Sequence, residues 1–199
     1  MPALADLLLS VPAVLWAITF HEFCHGYMAY VLGDPTAKRM GRLSLNPLHH
    51  LDPVGALMLL FFRFGWAKPV PVDPRYFKNP RRDMVLVSAA GVTGNFLTAF
   101  VFGMLARFFP QTFLAIPALR QFIFLMIVIN IGLAVFNLIP IPPLDGSKLL
   151  YPLLPPFLLE KYFWLERYGF FVLMILLALG VVQAIMGPVV MFFLRLILF

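Results

Sequence analysis

The sequence predicts an all-α integral membrane protein of four to six transmembrane or re-entrant segments, with a small proline-rich β element. Three observations predict it. The 199 residues are 62% hydrophobic, with a mean hydropathy of +0.92. Only 12% are charged, about half the share usual in soluble domains. The apolar residues also fall in long runs, each closed by glycine, proline or a basic cluster.

The first apolar run extends from about Ala3 to Leu32 and stops at Gly33-Asp34-Pro35. At 1.5 Å per residue it reaches about 45 Å, enough to cross a bilayer with some tilt. Its first twenty residues hold no basic residue and one acid, Asp6, so it is expected to stay as a span and not to be cleaved as a signal peptide. The text then changes. Lys38, Arg39, Arg42, Arg63, Lys68, Arg75, Lys78, Arg81 and Arg82 all lie between Asp34 and Asp83. Within that connection, Val54–Phe62 is apolar but too short to span and reads as re-entrant or interfacial. Lys68-Pro69-Val70-Pro71-Val72 follows. Its prolines exclude a helix interior and a central strand, but allow an edge strand whose N–H groups at 68, 70 and 72 stay free to pair.

A second span is expected from Met84 to Phe109, ending at Pro110, and a third from about Ala118 to Ile139. The third ends in a proline-rich break, Pro140 to Gly146, followed by a short apolar piece, Lys148 to Leu159. The last apolar stretch, about Tyr168 to Phe199, is interrupted at Gly187-Pro188 and reads as one long span or a span with an interfacial tail. The whole forms a single membrane-embedded domain over residues 1–199, with a core at 3–158 and the C-terminal span at about 168–199.

The formal charge of +6 would suggest nucleic acid in a soluble chain. Here the basic residues bunch in one connection, which marks a cytoplasmic loop and excludes a nucleic-acid partner. The 34–83 and 140–167 segments are then cytoplasmic. The single cysteine, Cys24, excludes an intrachain disulfide and a cysteine-rich zinc site. It reads as a helix filler.

Inside the first span stands His21-Glu22-Phe23-Cys24-His25. On a helix this spacing stacks two imidazoles one turn apart on one face, fit to bind one Zn²⁺, with Glu22 beside them as a base. Ionisable residues are expensive in a membrane, so such a cluster there points to function. A catalytic zinc takes three protein ligands and leaves one position open. Asp34, Asp73 and Asp83 sit among lysines and arginines and read as solvated loop charges, and Glu160 and Glu166 neighbour Lys161 and Arg167. Asp145 differs, because it lies in a proline-broken apolar stretch at the depth of the histidines. It is either the third ligand or a turn or N-cap aspartate before Gly146. His49 and His50 beside Asp52 read as an interfacial polar loop, with a second metal or a gate as the alternative. Trp16, Trp66 and Trp164 read as packing or interface anchors.

With these residues placed, the chain resembles the site-2 protease family of intramembrane zinc metallopeptidases, in its short form without a PDZ domain. The resemblance rests on the His-Glu-x-x-His helix and on the element from Asn137 to Asp145-Gly146. It is extended by Gly41-Arg42-Leu43-Ser44-Leu45-Asn46-Pro47, Gly65-Trp66-Ala67-Lys68-Pro69-Val70-Pro71 and Asn79-Pro80-Arg81-Arg82-Asp83. It spans most of residues 15–150. It implies His21, His25 and Asp145 as metal ligands, Glu22 as catalytic base, and hydrolysis of a peptide bond in or near a transmembrane helix of a substrate, as in regulated intramembrane proteolysis. A bacterial cell membrane, with the active site nearer the cytoplasmic side, is the implied location. The family's Gly-Pro-x-x-Asn appears here as Gly91-Val92-Thr93-Gly94-Asn95, with valine in place of proline. By resemblance Asn95 faces the active site and donates to substrate or oxyanion. Its other reading is an interhelical hydrogen bond. The rival function is a membrane zinc-binding protein without protease activity, a transporter or a pseudoprotease scaffold. Glu22 argues against it, because transport needs no general base. Oligomeric state is not written in the sequence.

Overall fold

In a bilayer every backbone N–H and C=O must find its partner within the protein, which leaves helices as the default for apolar runs of this length. The computed structural model of the chain describes residues 4–62 and 67–198. Helix α1 spans Leu4–Val31, α2 Thr36–Arg39, α3 Pro53–Phe62, α4 Pro80–Phe108, α5 Pro110–Ala115, α6 Pro117–Asn137, α7 Asp145–Leu150, α8 Pro156–Ala178 and α9 Val181–Leu198. Four are long and apolar enough to cross a membrane: α1 over Leu8–Val31, α4, α6 and α9. This is an all-α membrane protein.

Proline sets many of the boundaries. Pro80, Pro110, Pro117 and Pro156 each open a helix, where their missing N–H leaves nothing unpaired. At the start of α4 the Asp83 carboxylate accepts the Asn79 N–H, adding negative charge where the helix dipole favours it. Asp83 and Asp34 are both buried, which corrects the expectation of solvated loop charges. Asp34 accepts the N–H groups of Thr36 and Asp73 at 2.9 and 2.7 Å, so it pins two connections to the end of α1. Asp73 is the one that pairs with an exposed arginine, Arg75.

Helices α1, α4 and α6 form the central trio, with α4 antiparallel to the other two. Trp16 lies opposite Thr98, His21 opposite Asn95, and His25 opposite Val87. Asn95 meets Asn130 while Phe102 meets Phe122. Helix α9 closes the far end, where Ala99, Ile123, Ile127, Ile131, Val135 and Ile197 make a buried apolar cluster. The C-terminal stretch breaks at Leu179–Gly180, not at Gly187-Pro188. Gly180 takes φ +73°, the left-handed turn that glycine adopts without steric cost and that stops α8. Gly187-Pro188 runs inside α9, as membrane helices tolerate.

The expected β element is reduced, among the described residues, to one isolated antiparallel bridge between Leu51 and Ala67. Gly65 and Trp66 lie outside those residues. Residues 68–73 run as an extended strap across the end of the trio, and the edge expected to be free is occupied. Lys68 N–H donates to His50 O at 2.9 Å. Val70 N–H donates to Glu22 Oε2 at 2.7 Å. The Arg42 guanidinium donates to the Lys68 and Pro69 carbonyls at 2.7 and 3.3 Å. The strap is therefore anchored by the 41–52 loop and by α1, and not by a neighbouring strand.

Candidate metal centre

The second half of α1, the first half of α4 and the break after α6 meet at one end of the bundle. On α1, positions 21 and 25 face the same way, and α4 comes close enough to meet them only because residue 91 is glycine. A Cβ there would collide with Nε2 and Cε1 of His25 and lie 2.8 Å from His21 Cε1. Gly146 plays the same part for Asp145: a side chain on it would meet the carbonyls of Leu138 and Ile139. The proline-broken segment therefore folds back tightly and delivers Asp145 to the histidines.

The three expected ligands do come together. His21 Nε2 and His25 Nε2 are 2.9 Å apart, and each is 3.1 Å from Asp145 Oδ2. All three residues are buried. The neighbouring hydrogen bonds fix the tautomers. His25 Nδ1 lies 2.7 Å from the Val87 carbonyl, which can only accept, so Nδ1 carries the proton. Asn95 donates from Nδ2 to Ala17 O and to Asn130 Oδ1, both at 2.9 Å. Its Oδ1 therefore faces His21 Nδ1 at 2.6 Å, and that nitrogen is protonated too. In the neutral imidazoles both Nε2 atoms are then lone pairs, beside a carboxylate oxygen that has no hydrogen-bond donor.

Three electron-pair donors converging with no hydrogen among them repel one another unless a cation lies between them. Bonds of about 2.0–2.2 Å to a tetrahedral zinc place ligand atoms about 3.3 Å apart, within a few tenths of the spacing here. Two nitrogens and one carboxylate oxygen are a donor set suited to that ion. The residues present fit it.

A cleft of about 260 Å³ opens beside the three ligands, lined by Glu22, Val70, Ser88, Asn137 and Lys148 among others. A larger, mostly apolar one of about 490 Å³ adjoins it, running past Ile18, Glu22, Leu133, Phe136 and Leu173. Glu22 lines both. Asn95 lies behind the imidazole and not in the cleft. It is fully buried, and both of its amide hydrogens are engaged, so it has none to offer a substrate oxygen. It orients His21, and Asn130 orients it, by donating in turn to Met126 O at 2.8 Å. Asn130 was not singled out from the sequence, although an asparagine between isoleucines in mid-span is a usable signal.

His49 and His50 belong to the loop: their ring nitrogens lie 2.8 and 2.7 Å from the carbonyls of Gly41 and Ser44. Cys24 packs against Gly94 of α4, as a filler would. The strap contact from Val70 to Glu22 was not foreseen, because backbone donors leave no mark in residue identity.

Residues 111–179 match peptidase family M50. The chain is 41% identical over 183 residues to "Putative zinc metalloprotease YwhC" of Bacillus subtilis, covering 89% of this chain and 84% of that protein. It is 30% identical over 178 residues to "Putative zinc metalloprotease Rip2" of Mycolicibacterium smegmatis, covering 85% and 66% of the two chains. The Rip2 of Mycobacterium tuberculosis is 31% identical over 148 residues, which is 71% of this chain and 56% of that one. No solved structure matches.

Proposed function

The chain belongs to peptidase family M50, the site-2 proteases, and from that premise we propose that it hydrolyses a peptide bond in or beside a transmembrane helix of a membrane-protein substrate. It is a zinc metalloprotease. We assign the metal to His21, His25 and Asp145, as a single zinc ion, and the catalytic base to Glu22, within one membrane-embedded domain over residues 1–199. The observation that carries the assignment is the convergence of three buried donor atoms, 2.9–3.1 Å apart, at the wall of a cleft that Glu22 also lines.

Bound zinc would acidify water and polarise the scissile carbonyl. The remaining work falls to side chains. Glu22 takes the proton of the attacking water and returns it to the leaving amine. Asn95 and the Val87 carbonyl hold the imidazoles with their Nε2 atoms inward, a supporting role that in metal sites is typically worth 10- to 100-fold in affinity. The large apolar cleft beside the site suits a lipid-facing helix, whose carbonyls become accessible once it unwinds. The basic connection from 34 to 83 supports a site nearer the cytoplasmic side.

Purified protein and a single-span substrate test the reading. We expect cleavage that a chelator abolishes and added zinc restores. Stoichiometric zinc without cleavage of any membrane substrate would favour a zinc-binding protein that is not a protease.

A further inference from the structure

Four buried side-chain atoms among the described residues lack a hydrogen-bond partner: Arg42 Nε, His50 Nδ1, Ser88 Oγ and Asp145 Oδ2. Two of the four residues, Asp145 and Ser88, line the catalytic cleft. Asp145 is accounted for by the metal. Ser88 is not.

Ser88 is 1% exposed. A hydroxyl buried in a membrane helix ordinarily returns its hydrogen to the carbonyl one turn back. The neighbours on α4 and α6 behave in that way. Thr98 donates to Gly94 O at 3.0 Å, Asn130 to Met126 O at 2.8 Å and Asn137 to Leu133 O at 3.0 Å. Ser88 has the same option at the Met84 carbonyl and does not take it. A group held buried and unpaired calls for a partner that arrives from elsewhere.

Its place on the helix suggests which partner. Residues 88, 91 and 95 fall on one face of α4. Gly91 lies against the imidazoles and Asn95 holds His21. Ser88 sits one turn closer to the helix start, beside Val87, whose carbonyl holds His25. Hydrolysis also calls for a donor beside the metal, and the other donors of the cleft, Asn137 and Lys148, are drawn to Leu133 O and towards Asp145. When water oxygen bonds to the scissile carbon, the carbonyl π pair moves onto its oxygen, and that negative charge needs an N–H or O–H aimed at it. Both Asn95 hydrogens are engaged within the protein, and the Val70 N–H is engaged by Glu22. Ser88 has a hydrogen to give.

We propose that Ser88 is a further catalytic residue, whose hydroxyl donates a hydrogen bond to the substrate's scissile carbonyl oxygen as it becomes an oxyanion. The proton stays on Oγ throughout. When the C–N bond breaks, the oxygen's electron pair re-forms the carbonyl, and the amine takes its proton from Glu22. This role rests on the proposed hydrolysis.

The test compares Ser88→Ala and Ser88→Cys with the full-length wild type, purified and zinc-loaded, on one single-span substrate. The Ala variant should lose about 100-fold in kcat, the scale for one oxyanion donor, with KM within about twofold. Zinc affinity should be unchanged, and the melting temperature of the zinc-free protein unchanged or higher, since an unpaired buried hydroxyl has been removed. A phosphinic peptide, which mimics the tetrahedral state, should bind Ser88→Ala weaker by a similar factor. Ser88→Cys, with a weaker donor of similar size, should fall between. Turnover within about threefold of wild type in the Ala variant would overturn the proposal, as would a loss of fold or zinc on losing the hydroxyl. Wild-type cleavage in the same assay separates these outcomes from a failure of the hydrolytic reading itself.

Discussion

The metal end of the helical trio and the strap across it are both polar structures at the edge of an apolar protein, yet they are held in different ways. At the metal end side chains make the contacts: His21 bonds to Asn95 and Asn95 to Asn130, while two imidazoles converge on one carboxylate. In the strap the backbone does it, with N–H groups given to His50 O, Glu22 and Asp34, and carbonyls held by Arg42. Helices fix side-chain positions by spacing, so the first region is rigid and its parts are indispensable. The second is anchored at several points along a chain with no sheet to share, and should be tuned by substitution more than destroyed.

The sharpest separation is expected at Asp145. Asp145→Ala removes one of the three proposed ligands and leaves two imidazole nitrogens facing a gap. Zinc affinity should fall by well over 100-fold, beyond what losing a supporting residue costs, and cleavage should vanish with it. Metal analysis at low free zinc checks this. Full occupancy would return Asp145 to a turn-capping role.

Asn95→Ala comes next. It frees His21 to rotate and leaves the Asn130 oxygen without its donor, so zinc affinity should drop by about 10- to 100-fold, with activity recovered at high zinc. Recovery is the informative part. An activity loss that saturating zinc cannot restore would mean Asn95 contacts the substrate after all.

The strap should show the smallest effect. Arg42→Ala removes the donor to two strap carbonyls, and with it the constraint that keeps the Val70 N–H on Glu22. Cleavage should fall roughly three- to tenfold with zinc content unchanged, in line with about 0.6–1.4 kcal/mol for loosening one such anchor. If zinc is lost from Arg42→Ala, the two regions are not separable and the contrast fails.

This contrast also explains what the sequence could show. His21, Glu22 and His25 were legible because a helix converts a spacing of four into one face, and a bilayer makes such residues conspicuous. Asp145 was legible as an isolated acid in a proline-broken run, but its delivery to the histidines depends on Gly146 packing onto the carbonyls of Leu138 and Ile139, which composition does not reveal. Spans were visible as apolar runs, whereas the break at Gly180 was misplaced to Gly187-Pro188, because proline is a strong breaker in water and a tolerated one in lipid. In the strap, Pro69 and Pro71 announced an extended chain. They could not say that the Val70 N–H would be taken by Glu22, since any residue but proline carries that donor. Asn95 was placed near the site by resemblance, and its partners, Ala17 and His21 on α1 and Asn130 on α6, which commit it to His21, come from two other helices.

The central claim is that one zinc ion sits on His21, His25 and Asp145, and that Glu22 acts on water without holding the metal. Glu22→Gln tests it most directly. The purified variant, assayed beside the wild type for bound zinc and for cleavage of a single-span substrate, should keep one zinc per chain and lose at least about 1,000-fold in turnover, within the range for a lost general base. Wild-type turnover, or loss of the metal with the carboxylate, would contradict the account.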